Sequence, residues 1–468
     1  MKQSTSFLTL LLAAISASSV APQITTRLEP FGLQGERITA LRFSPQFGPS
    51  RYNLYATTYG NGVYRHDPPR SDSLWLRLGL YDKKITALDI QVWGVGPAIF
   101  HAPVVGVAPD YEHGDSTLIY RLENERWVPA DSGIMKSSSI TSLASFASSG
   151  HEPPGATFAV GGSLIYRSNS LSHWWTEINN FGLGWYIYVT AVSQSYGRDE
   201  VWIGGIQEGA IAWIAKSINQ GETWETFYPP SLVLDDNAYH SLAIHPDSSD
   251  IVYAGMCGVV IKTDDGGKTW QITDLQNNRT YIYGLALDSF DPNHVYAGGT
   301  AANQWALWES FNGGTKWQAI PAPQSVWNIQ GISSLVADPN APGVVYIGTL
   351  GGGVWRYQSG VVAVQDRHEE ALPQDFVLEQ NHPNPFNACT SIRFEIPPAL
   401  ANASARLAIY SLRGELVREL INRSRLAGNY FARWDGRNDA GNEVASGIYI
   451  CQLKIGKTTQ VRKMSFLK

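Results

Sequence analysis

The sequence predicts an all-β chain, a seven-bladed β-propeller followed by an immunoglobulin-like β-sandwich domain. Three observations carry that prediction. The first is a turn phrase, Thr263-Asp264-Asp265-Gly266-Gly267-Lys268-Thr269-Trp270, that recurs as Ser217-Ile218-Asn219-Gln220-Gly221-Glu222-Thr223-Trp224 and Ser310-Phe311-Asn312-Gly313-Gly314-Thr315-Lys316-Trp317. Asp or Asn followed by Gly makes a tight turn, because both tolerate positive φ and the short side chain bonds the local backbone. The second is a small residue followed by Leu or Val, at Ala40-Leu41, Ala87-Leu88, Ser142-Leu143, Ala191-Val192, Ser241-Leu242, Gly284-Leu285 and Ser334-Leu335. It recurs at intervals of roughly 50 residues, the spacing of a repeated supersecondary unit. The third is composition. With 44 Gly, 16 Trp, 22 Tyr and 16% charged residues, the chain is turn-rich, aromatic and globular, not disordered. Its 468 residues exceed one hydrophobic core and predict at least two domains.

In chain order, residues 1–21 form a signal peptide: Lys2, an apolar run over 7–15, then small residues, too short to span a bilayer. The cut falls between Ala17 and Ala21, Pro22 arguing against a cut directly after Ala21. No Cys lies nearby to carry a lipid anchor, and no later run predicts a membrane span. The propeller occupies 22–358. Each first strand carries the small residue because first strands crowd around the axis. A more apolar second strand follows (54–57, 104–107, 157–160, 201–204, 252–255, 295–298, 345–348), then a third, then a fourth opened six times by Trp75, Trp127, Trp175, Trp224, Trp270 and Trp317. Four strands per unit describe propeller blades. The seventh unit lacks its Trp strand. Residues 25–31 precede the first Ile-Thr-Ala-Leu as every Trp strand precedes the next unit, so they are predicted to close the ring and remove an open edge. Residues 359–375 are a linker with a charged stretch and Pro373. From 376 to 468, short strands at 391–396, 406–410, 415–420, 430–434, 447–453 and 457–467 fit a sandwich.

The net charge of −6 offers no basic footprint for nucleic acid. No cofactor is expected: there is no Cys/His cluster with metal spacing and no Gly-rich phosphate cradle. Asp264 and Asp265 followed by two glycines do not supply a calcium loop. Cys257 reads as a buried thiol, whereas Cys389 and Cys451 could pair after export. In the three turn phrases, Asn219, Gly221 and Trp224, Asp265, Gly267 and Trp270, and Asn312, Gly314 and Trp317 have structural roles, on the face opposite the blade-to-blade connections. The face with those connections also carries the loops between second and third strands. Tyr59, Asp110, Tyr111, His113, Asp115, Trp185, Tyr186, Asp235, Asp236, Trp305 and Trp327 are placed there. Aromatics beside acids suit a sugar or peptide; the alternative for Trp185 and Trp327 is packing between blades. A glycoside hydrolase would need two acids across a cleft. Asp89 and Asp288 follow first strands only as single acids, and Arg42 is the one arginine placed on a first strand.

The turn phrases resemble the Asp-box, or bacterial neuraminidase repeat, with 168–175 a decayed fourth copy. The phrases Asp291-Pro292-Asn293-His294-Val295-Tyr296-Ala297-Gly298 and Val345-Tyr346-Ile347-Gly348 resemble exported propellers related to photosystem II assembly factors, xyloglucanases and sortilins. The C-terminal part resembles the type A sorting domain of the type IX secretion system. The matching residues are Pro383, Asn384, Pro385 and Phe386, then Trp434, Asp435 and Gly436, then Gly447 and Tyr449, and the closing run from Lys463 to Lys468. A flagellar hook-capping immunoglobulin-like domain has similar Trp-Asp-Gly phrases; the signal peptide and propeller argue against it. The resemblance implies the type IX machinery as partner and export across the outer membrane of a Gram-negative bacterium, to the medium or the cell surface. The function expected is a binding propeller with a glycan or protein ligand; the alternative is a glycan-active hydrolase.

Overall fold

The computed structural model describes residues 27–467 except 45–51, 68–73, 96–97, 114, 136–138, 147–154, 170–173, 196–197, 230–237, 247, 323–328, 360–376, 382–383, 385, 388–389, 397–403, 425–427, 440 and 457. The stretch expected to be a signal peptide, nearly all of the expected linker and Cys389 lie outside the described residues. Two compact units are present, one through Val362 and one from Ala363.

The first unit is a seven-bladed propeller of antiparallel four-stranded sheets. Blade 1 is Ile38–Phe43, Leu54–Thr58, Val63–His66 and Trp75–Gly79. Blades 2, 3 and 4 begin at Ile85–Val95, Ser142–Ser145 and Trp185–Ser195. Blades 5 and 6 merge into one six-stranded sheet. There, Ser248–Thr263 supplies two strands of blade 5, and Gln271–Leu287 runs from the last strand of blade 5 into the first of blade 6. Blade 7 is Ile332–Ala337, Val344–Thr349 and Val354–Gln358, completed by the N-terminal strand Arg27–Gly32. Arg27 pairs with Gln358 and Pro30 with Trp355. The ring therefore closes as the missing Trp strand predicts.

The core lies between blades. Ile38, Leu41 and Ala56 of blade 1 cluster with Val344, Tyr346 and Val354 of blade 7, and Ala87, Val104 and Ile119 of blade 2 with Leu143, Tyr166 and Trp175 of blade 3. Close approach explains the small residues. A Cβ on Gly284, the small residue of blade 6, would come within 2.9 Å of Leu335 in the next blade; the second strands are as tight, a Cβ on Gly255 coming within 2.6 Å of Ile282. At the rim the tryptophans stitch neighbours together. Trp75 Nε1 donates to Phe31 O at 3.0 Å, Trp127 Nε1 to Leu78 O at 3.0 Å and Trp175 Nε1 to Ala130 O at 2.7 Å. Around the axis, hydroxyls do the same. Thr86 Oγ1 donates to Ile140 O, Thr141 Oγ1 to Ile187 O, Ser241 Oγ to Ile282 O, Thr300 Oγ1 to Gln330 O and Ser333 Oγ to Ile38 O, at 2.5–2.9 Å. Each ties a hydroxyl of one blade to a main-chain carbonyl of the next.

The second unit is a sandwich of two antiparallel sheets. One is Val377–Leu378, Thr390–Ile396 and Gly428–Trp434; the other, in order, is Leu416–Ser424, Ser404–Ser411, Gly447–Ile455 and Thr458–Phe466. Trp434 is fully buried, with Tyr449 at 4.9 Å and Phe386 at 5.6 Å between ring centres. Cys451 is a free thiol inside this core, and burial pushes its pKa up to about 12.

Candidate ligand-binding site

The first strands of all seven blades surround an axial cavity of about 760 Å³. Its lip is built where the start of one first strand pairs with the loop between second and third strands of the blade before. Arg37 bridges Leu350, and Lys84 bridges Tyr59. Tyr59, 44% exposed, lines the cavity. The Arg37 guanidinium carbon sits 4.9 Å, and the Lys84 ammonium 5.9 Å, from its ring centre.

The position just before each small residue reads Thr39, Thr86, Thr141, Thr190, His240, Tyr283 and Ser333. Five blades carry a hydroxyl there, several of them in the axial belt. Blades 5 and 6 carry rings instead, which turn one sector of the cavity aromatic. Tyr188, 37% exposed, lies 5.4 Å from His240, and His240 lies 5.2 Å from Tyr283. Tyr281 stacks on Tyr283 at 5.9 Å with planes 9° apart. Tyr188, His240 and Tyr283 all line the cavity.

Across the cavity, Arg42 Nε lies 4.0 Å from Asp89 Oδ1. Burial pushes the Asp89 carboxyl above the usual carboxylate range, against the pull of Arg42 and Ser145. Asp89 Oδ2 is buried and has no partner among the described residues. Asp89 is the sole carboxylate among the described lining residues.

Of the residues placed on this face from sequence, Tyr59 alone among those described lines the cavity. Tyr111, on the short 3-10 turn Tyr111–His113, is 60% exposed but away from it. Tyr186 is exposed and also outside the lining. Trp185 and Trp305, both half-buried, are not among the described lining residues. Trp185 stacks on Phe181 at 5.4 Å and meets Trp213 at 4.9 Å, and Trp305 packs towards Trp355 at 6.4 Å. Asp235, Asp236 and Trp327 lie outside the described residues. Asp110 and Asp115 exchange main-chain hydrogen bonds. The Asp115 carboxylate is taken up by Lys83, by Thr117 N at 2.8 Å and by Tyr120 Oη at 2.8 Å. Burial opposes its ionisation, yet those partners hold it well below the usual carboxylate range. Asp288 is a turn residue: it accepts from Phe290 N at 2.7 Å and from Gly343 N.

The turn phrases form one repeated hydrogen-bond set. Gly221 N, Gly267 N and Gly314 N donate to Ser217, Thr263 and Ser310 hydroxyls at 2.8–2.9 Å, while Thr223 N, Thr269 N and Lys316 N donate to Asn219, Asp265 and Asn312 at 2.8–2.9 Å. Trp224 Nε1 donates to Gly221 O, and Trp317 Nε1 to Thr273 of the preceding blade; Trp270 packs with Trp202 at 6.3 Å. These residues build and dock the hairpin. No group of three or more His, Cys, Asp or Glu among the described residues could hold a metal, and no described helix is long and apolar enough to cross a membrane.

In the sandwich, Phe386 N donates to Ser465 O at 3.0 Å and Leu467 N to Phe386 O at 2.8 Å. Asn384 Oδ1 accepts from Ser465 N at 2.8 Å, Asp435 Oδ1 accepts from Arg437 N at 3.1 Å, and Gly436 lies where a Cβ would strike Phe466. Tyr449 Oη donates to Ala445 O. Pro383 and Pro385 lie outside the described residues. Asn384, Asp435, Gly447 and Lys463 are exposed.

The FlgD Ig-like domain family matches residues 384–458. Two xyloglucanases are similar over part of the chain. One, from Hypocrea jecorina (strain QM6a), is 27% identical over 121 residues, 26% of this chain and 14% of its own length. The other, from a Paenibacillus species, is 31% identical over 132 residues, 25% of this chain and 13% of its own length. The chain thus spans about one-seventh of the curated relatives it matches. Among solved structures, PorZ, a bacterial surface component of the type-IX secretion system of Porphyromonas gingivalis, aligns over 92% of this chain and 58% of its own, at 15% identity and TM-score 0.42.

Proposed function

We propose that this chain is a secreted or cell-surface binding propeller whose ligand enters the axial cavity, and that the sandwich is the address for its export by the type IX machinery. The observation that carries the binding reading is the asymmetric cavity, with rings on blades 4–6 and Arg37, Lys84, Arg42 and Asp89 on blades 1 and 2. A concave site with an apolar wall and a few convergent polar groups is the usual form of a small-ligand site. Among the described residues the lining holds one carboxylate, whereas hydrolysis of a glycosidic bond uses two. The hairpin resemblance to the Asp-box supports an exported propeller, and the ordered C-terminal phrases support a sorting role. The xyloglucanase similarity favours a second reading, a glycan-active hydrolase. The two are separated by incubating the full chain with oligosaccharides while measuring both binding and release of reducing ends. Binding without release is the expected result; release that disappears in Asp89→Asn would replace this reading with the hydrolase.

A further inference from the structure

We infer that the axial cavity takes an acidic saccharide, with a sugar ring against the Tyr188–His240–Tyr283 wall and its anionic substituent between Arg37 and Lys84 at the opposite lip. The inference rests on the reading that the cavity binds a ligand, and names the chemistry of that ligand.

Charge is the first argument. The chain as a whole carries −6, yet among the described residues the cavity lining carries Arg37 and Arg42 against Asp89 alone. Neither Arg37 nor Lys84 has a carboxylate within ion-pair distance among the described residues, and both are exposed. An acidic protein that keeps two cations astride one tyrosine at the lip of its cavity is arranged for an anion. Arginine in particular suits the planar fork of a carboxylate.

The second argument is the wall. Tyr188, His240 and Tyr283 come from three successive blades, with ring centres 5.2–5.4 Å apart. The short Ser or Thr side chain that the other five blades carry at this position is replaced by a ring at His240 and Tyr283. Flat rings offer apolar contact to the C–H face of a pyranose and a polar edge to its hydroxyls. The volume of about 760 Å³ is in the range of small-ligand sites. An acidic peptide would use the same cations but would have no need of a wall of rings.

The test is calorimetric titration of the full chain with four probes: oligogalacturonate tetramer, chondroitin sulfate tetrasaccharide, cellotetraose and tetraglutamate. Tighter binding of either acidic sugar than of cellotetraose, weakened by salt, supports the inference, and the better of the two identifies carboxylate or sulfate as the anion. The exposed pair Arg37→Ala/Lys84→Ala should then weaken the acidic sugar about tenfold or more, the scale of a lost charged hydrogen bond, and leave cellotetraose unchanged. Tyr188→Ala, at a half-exposed position that folding tolerates, should weaken both sugars. Equal binding of acidic and neutral sugars, both lost in Tyr188→Ala, overturns the anion while the binding reading stands. Tetraglutamate bound best and indifferent to Tyr188→Ala overturns the saccharide. Failure of all four probes overturns the inference.

Discussion

Asp265 is the acidic version of a position that two other hairpins fill with amide, Asn219 and Asn312. All three accept the same main-chain hydrogen bond at 2.8–2.9 Å. Asp265→Asn should therefore leave the melting temperature unchanged at pH 7, because the amide oxygen can take the carboxylate's place. The difference appears in acid. Hydrogen bonds from the Thr269 hydroxyl and main chain hold the Asp265 pKa at about 2. A carboxyl depressed on folding stabilises above its unfolded value and loses that contribution as pH falls through its folded one. Thermal melts between pH 4 and 2 should show a shallower decline for Asp265→Asn than for the native chain; parallel declines would assign the shift to some other group. Gly267 is less forgiving. Its φ is 98°, and a Cβ there would meet Phe227 and Trp202 of the preceding blade at 3.0–3.1 Å. Gly267→Ala should cost ~1–3 kcal/mol, the scale of a strained left-handed residue, measured by denaturant unfolding.

Strands and blades were the legible part of the sequence because each is written several times. The absence of one Trp strand was itself informative, and Arg27–Gly32 fills its place. Glu29 meets Arg356 at 3.1 Å, and the Phe31 ring lies 4.8 Å from that of Tyr346. Deleting residues 27–32 removes these contacts and exposes the edge of Val354–Gln358. A sharp fall in melting temperature is expected, and an unchanged one would refute closure by this strand. Ser333→Ala tests the axial belt at the same junction: losing its bond to Ile38 O at 2.7 Å should cost about 1 kcal/mol. The candidate site was much less legible. Tyr188, His240 and Tyr283 become visible only when the blades are aligned at one register position, since their meaning lies in replacing or flanking a hydroxyl column. Trp185 and Trp305 stand in strands, half-buried against Phe181, Trp213 and Trp355, neighbours that the fold brings in and the sequence does not announce.

At the scale of the whole chain, the sandwich keeps a core of its own, drawn from residues between Leu378 and Phe466. That bears on how an export role can be tested. Removing residues 463–468 would take Met464 and Phe466 out of the core, so lost export could mean only a lost fold. The last strand, Thr458–Phe466, is an edge strand of its sheet, and its exposed residues include Val461 and Lys463. A face that a partner reads can be altered there without touching the core. Two variants then separate address from stability. Trp434→Ala removes a fully buried aromatic, at ~3–5 kcal/mol; it should abolish the sandwich transition in calorimetry, leave the propeller transition in place and strand the chain in the periplasm. Val461→Asp/Lys463→Glu should leave both transitions where they are and still reduce the amount outside the cell in a host with the type IX machinery. Ligand binding should be the same in both variants, because every lining residue of the cavity belongs to the propeller. Normal export of the surface variant would move the address to another face of the sandwich. Normal export of Trp434→Ala would remove the export role, since an address read by shape has to be folded to be read.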